Sequence, residues 1–66
     1  MIEVSINGEN RAVAEGSVTA LLEQLGLHPR LIVVEHNREI LDRGVFDATE
    51  VRAGDQFELV HFVGGG

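Results

Sequence analysis

The sequence predicts an α+β domain: a mixed sheet of about four to five strands with one helix packed on one face. Three observations predict it. Apolar and polar residues alternate at both ends of the chain, as they do in half-buried strands. One stretch alone, Ser17 to Leu25, carries leucines at helical spacing. A chain of 66 residues has room for one thin core, because a domain this small buries only about 60% of its unfolded surface.

The elements follow in order. "MIEVSIN" turns Ile2, Val4 and Ile6 one way and Glu3 and Ser5 the other, which marks a strand. Asn7-Gly8 is a hairpin signal, since both residues tolerate positive φ. "NRAVAE" is the returning strand, with Arg11 and Val13 on one side, Ala12 and Ala14 on the other, and Glu15-Gly16 closing it. Ser17 is a helix N-cap. Val18, Leu21, Leu22 and Leu25 recur at helical spacing, Gly26 ends the helix and Pro29 forbids its continuation, so the helix spans 18–25. "RLIVVEH" is β-branched and reads as a third strand. "NRE" turns the chain into a short fourth strand, "EIL"; "DRGVFDATEV" reads as a loop with a helical turn. Ala53-Gly54-Asp55 turns again. "QFELVHFV" is the last strand, with Phe57 and Leu59 on one face and Glu58, Val60 and Phe62 on the other.

The order is β-β-α-β-β-β. The helix must bury its leucines on one face of the sheet. The first and last strands are the most apolar, which places them at the centre and parallel to each other. That arrangement is the ubiquitin-like β-grasp topology.

Composition limits the function. The net charge is −6, from 11 acidic residues and 5 arginines, with no lysine. Such a surface repels phosphate backbones and argues against nucleic acid. It either favours a basic patch on a protein partner or serves solubility alone. There is no cysteine, so disulfides and thiolate metal sites are unavailable, and packing alone must hold the fold. No apolar run approaches the roughly 20 residues of a membrane span, and "MIEVSING" carries no basic signal region, so the expected location is the cytoplasm. His28, His36 and His61 lack metal-ligand spacing; His36 and His61 are placed to meet on neighbouring strands, but two ligands do not make a metal site. The carboxylates are scattered, with no pair for acid–base work, and no glycine-rich loop precedes a helix. Neither a catalytic group nor a metal site is expected.

The chain closes on "FVGGG". One reading is an idle terminus outside the domain. The other is geometric. Glycine has no Cβ, so such a tail threads a channel too narrow for side chains. Extended, Val63 to Gly66 reach about 13 Å. The Gly66 carboxylate, with a reference pKa near 3.5, is ionised at neutral pH and can attack the α-phosphate of ATP when a partner positions it. The expected division is a domain over 1–62 and a flexible glycine tail over 63–66.

Three segments carry a resemblance: "SVTALLEQLGL" (17–27), "VVEHNREI" (33–40) and "AGDQFELVHFVGGG" (53–66). In these, and over essentially its whole length, the chain resembles the ThiS family, the sulfur carriers of thiamine thiazole biosynthesis. A terminal diglycine is shared with ubiquitin and with the small subunit of molybdopterin synthase; the "VHFVGGG" ending and the short length favour the thiazole carrier. The resemblance implies a non-catalytic carrier, monomeric when free, that binds no cofactor of its own. A ThiF-like enzyme would adenylate Gly66 with ATP and magnesium. A cysteine desulfurase or other sulfur donor would convert it to a thiocarboxylate, and thiazole synthase would take the sulfur. Gly64 and Gly65 would complete the thin arm that enters the partner's active site; the family's commoner ending has two glycines where this chain has three. The alternatives are a protein modifier of the ubiquitin kind and the molybdopterin synthase subunit. The lack of lysine excludes chain building on the modifier itself. Val60, Phe62 and Val63, with Leu31 and Val33 beside them, are the expected docking residues, since a one-helix sheet leaves one face uncovered.

Overall fold

A computed structural model describes residues 1–62; the expected tail, 63–66, lies outside the described residues. The alternation at the start of the chain becomes β1 (Ile2–Ile6), which pairs antiparallel with β2 (Glu9–Val13) from Ile2↔Val13 to Ile6↔Glu9. The turn between them holds Asn7 at φ 51° and Gly8 at φ 84°, the left-handed pair that a tight two-residue hairpin requires. β3 (Gly16–Ser17) leads directly into α1 (Val18–Gln24). Ser17 caps the helix, its Oγ accepting from the Ala20 amide at 3.1 Å. The helix ends at Gln24, one residue inside the expected end, with Leu25 as its C-cap.

The next segment departs from expectation. The sequence places Leu31 in a strand starting at Arg30, but Pro29–Leu31 form a turn of 3₁₀ helix. Pro29 sits at its start, where a missing N–H costs nothing, and His28 Nδ1 accepts from the Arg30 amide at 3.2 Å. The strand proper, β4 (Ile32–His36), then pairs antiparallel with β5 (Glu39–Leu41) across a second tight turn, Asn37-Arg38, with φ of 50° and 74°. The expected helical turn is a 3₁₀ segment over Arg43–Ala48. After it β6 (Glu50–Val51) pairs with β3, a small second sheet that the sequence did not announce. β7 (Gln56–His61) is the last strand.

The main sheet has the order β2-β1-β7-β4-β5. β7 therefore lies at its centre, parallel to β1 and antiparallel to β4, as the apolar character of the end strands required. Leu21 and Leu22 of α1 are buried with Val4, Val13, Ile32, Val34 and Phe57. Burying each large apolar side chain contributes about 1.5–3 kcal/mol. No helix of the described residues is long and apolar enough to cross a membrane.

Candidate functional site

The pleat of β7 divides its residues between two surfaces. Phe57 and Leu59 enter the core, while Val60 and Phe62 are 58% and 53% exposed on the outer face. Val33 of β4 stands directly opposite Val60, and the Phe62 amide donates to the Leu31 carbonyl at 2.9 Å. Leu31, itself 50% exposed, joins the patch from the 3₁₀ turn. The four expected residues thus form one apolar surface at the end of the central strand. Val63, the remaining expected docking residue, and Gly64, Gly65 and Gly66 lie outside the described residues.

Arg43 adds a feature that no local sequence signal marks. Its guanidinium lies over the Phe62 ring, 5.9 Å from the centroid. Nε donates to the Pro29 carbonyl at 3.1 Å and Nη2 to the Arg30 carbonyl at 3.3 Å. Held by two carbonyls, the cation stays on the ring face, where the ring quadrupole attracts it.

One step along the same face the chemistry changes. Glu35 of β4 faces Glu58 of β7, and Glu35 is flanked on its other side by Ile40, 69% exposed. The carboxylates, scattered in sequence, thus include one cross-strand pair, because strand register rather than sequence distance brings them together. Neither forms an ion pair among the described residues. Like charges directly opposed cost stability, so the outer face runs from apolar to acidic at some expense to the fold.

The histidines do not meet. His61 pairs with Ile32 at one end of the β4–β7 ladder and His36 with Phe57 at the other. His36 Nε2 instead donates to Asp55 Oδ2 at 3.0 Å, while its ring stacks on Phe57. Asp55 also accepts from the Arg52 amide at 2.9 Å and from Asn37 Nδ2 at 3.2 Å. Burial pushes its carboxyl pKa up, but these hydrogen bonds and the neighbouring His36 outweigh burial and hold it below its ordinary value. Among the described residues no three His, Asp or Glu side chains gather as a metal site. Two surface cavities of about 270 Å³ each fall short of the roughly 300–1,000 Å³ usual for a ligand pocket.

A five-stranded sheet gripping one helix, with its last strand central and an apolar outer face at that strand's end, defines a ubiquitin-like β-grasp protein. The model of the ThiS family matches residues 4–66, and the chain belongs to that family. It is 38% identical over 66 residues to a thiazole synthase of Magnetococcus marinus, an alignment covering 98% of this chain but 20% of that protein. The chain therefore spans about a fifth of the length of that relative. It is 37% identical over 51 residues to the sulfur carrier protein ThiS of Bacillus subtilis, covering 77% of each. Among solved structures, the crystal structure of the thiamine biosynthesis protein ThiS from Geobacter metallireducens superposes with a TM-score of 0.85 at 38% identity, over 98% of this chain and 100% of that one.

Proposed function

We propose that this protein is a cytoplasmic sulfur carrier of thiamine thiazole synthesis, with Gly66 as the residue that bears the sulfur. The observation that carries this reading is the family match over residues 4–66, which takes in the central strand and the glycines together. The chain supplies a docking face and a carboxylate; catalysis belongs to its partners. The Gly66 carboxylate attacks the α-phosphorus of ATP in a ThiF-like enzyme that uses magnesium, and pyrophosphate leaves. Sulfur then displaces AMP at the activated carbonyl: a sulfide-level donor gives the thiocarboxylate directly, whereas the persulfide of a cysteine desulfurase gives an acyl disulfide, whose S–S bond a thiol reductant breaks to leave the thiocarboxylate. Gly64 and Gly65 present no side chain to the channel that admits them.

Val60, Phe62 and Val63 dock the activating enzyme and thiazole synthase. The match to a fifth of a protein named thiazole synthase supports that second partner, since it puts a carrier-like segment within a synthase polypeptide. The test is the intact mass of the protein after incubation with ATP, magnesium, the organism's activating enzyme and a sulfur donor. The expected gain is the difference between sulfur and oxygen, mapped to Gly66. An unchanged mass, with every other component shown to be active, overturns the reading in favour of a protein modifier or an idle tail.

A further inference from the structure

Two hairpin turns reach the same strand with their side chains. Asn7 and Asn37 occupy the first positions of their turns, at φ 51° and 50°. Asn7 Oδ1 accepts from the Leu59 amide at 2.8 Å, and Asn7 Nδ2 donates to the Leu59 carbonyl at 3.2 Å. Asn37 Oδ1 accepts from the Gln56 amide at 2.9 Å. Both asparagines therefore grip β7, one near each end.

The backbone ladder explains the need. β1 and β7 pair only at Ser5↔Gln56 and Ile6↔Phe57, after which the Asn7 amide donates to the Phe57 carbonyl at 2.9 Å. β1 then turns away at Gly8 while β7 continues to His61. The Asn7 side chain, with one donor and one acceptor, takes the place of the next residue of β1 and satisfies both polar groups of Leu59. On the opposite edge Val60 pairs with Val33, and the Phe62 amide reaches Leu31. The strand is thus held from both edges as far as Leu59, and from the β4 edge alone up to Phe62, the last described residue. Positive φ alone does not account for this contact, because glycine satisfies that backbone equally well.

We propose that Asn7 is a positioning residue of the carrier: its side-chain amide fixes the end of β7 relative to the Val60–Phe62 docking face. This rests on the sulfur-carrier reading. Insertion of a narrow tail into an enzyme depends on where the chain is handed on from the docked domain. A strand end that frays must be reordered at each encounter, and that cost falls on association rather than on the chemical step.

The test compares Asn7→Gly with Asn37→Gly. Each keeps a turn compatible with positive φ and removes a grip on β7, but only Asn7 lies at the tail end. Amide hydrogen exchange in the isolated protein, followed by NMR, reads the strand directly. Pyrophosphate release by the ThiF-like enzyme reads function. Asn7→Gly is expected to speed exchange at Leu59 and to raise KM for the carrier by roughly tenfold, about what two net hydrogen bonds carry, with kcat unchanged. Asn37→Gly is expected to lower the thermal midpoint by a similar or larger amount while leaving KM near that of the wild type. Wild-type exchange and KM in Asn7→Gly overturn the proposal, as does an equal rise of KM in Asn37→Gly, which makes the effect one of general stability. If the wild-type protein is not adenylated by an enzyme that is active on its own carrier, the carrier reading fails and the positioning role falls with it.

Discussion

Asp55 Oδ2 lies 3.0 Å from His36 Nε2, and this contact ties the turn before β7 to the end of β4. The Asp55 carboxyl is held below its ordinary value of 3.8, since its hydrogen bonds outweigh the effect of burial. The ionised form is therefore favoured by folding. Its contribution is fully present above the unfolded value and is lost as pH falls through the lower folded one. Asp55→Asn is expected to cost about 1–3 kcal/mol at neutral pH, the range for disrupting a hydrogen-bonded buried group. Urea unfolding of both proteins across a pH series checks this: the gap should shrink below pH 3.8. A gap of constant size down to pH 2 contradicts it.

Phe62 is half-exposed, so truncating it removes little core packing. Phe62→Ser is expected to weaken association with the activating enzyme about tenfold or more, as loss of an interface anchor does. The same substitution should change unfolding free energy by about 0.5 kcal/mol or less, with some of that from the lost Arg43 contact. Calorimetric titration and thermal melts, run on one preparation, separate the two effects. Unchanged affinity removes Phe62 from the docking face.

Deleting Gly65 and Gly66 is expected to abolish the gain of sulfur mass. Every buried core residue described lies before position 63, so the thermal melt of the truncated protein serves as the control on folding. Sulfur gain in the truncated protein would assign the chemistry elsewhere on the chain.

The helix offers a graded test of stability. Leu22 is fully buried, and Leu22→Ala is expected to cost about 2–5 kcal/mol, much of the margin of a small domain. Ser17→Ala removes the cap to the Ala20 amide and should cost about 1 kcal/mol. Denaturant melts that reverse this order would mean that the cap, not the leucine face, holds α1 in place.

The sheet was legible because period-two alternation runs along β1 and along β7 as far as Leu59. Asn7-Gly8 and Ser17 were legible for a local reason, since turn and cap chemistry belong to single residues. The β3–β6 pairing was not, because strands of two residues have no period to read. Leu31 misled because its apolar character continues that of β4, while Pro29 and the His28 cap bend the backbone first. The partners of His36, Asn7 and Arg43 depend on register and on contacts across the fold, which sequence spacing does not encode. The glutamate pair was hidden for the same reason, since Glu35 and Glu58 become neighbours only once β4 and β7 are aligned.

The central place of β7 has a consequence for how the chain assembles. The β1–β2 and β4–β5 hairpins close through tight turns and need only neighbouring residues. They cannot join each other, because the strand that lies between them is the last of the sheet to leave the ribosome. Until residue 61 is made, β1 and β4 each present a bare edge. Closing the sheet therefore requires one late strand to enter between two hairpins, a long-range pairing of the kind that slows folding.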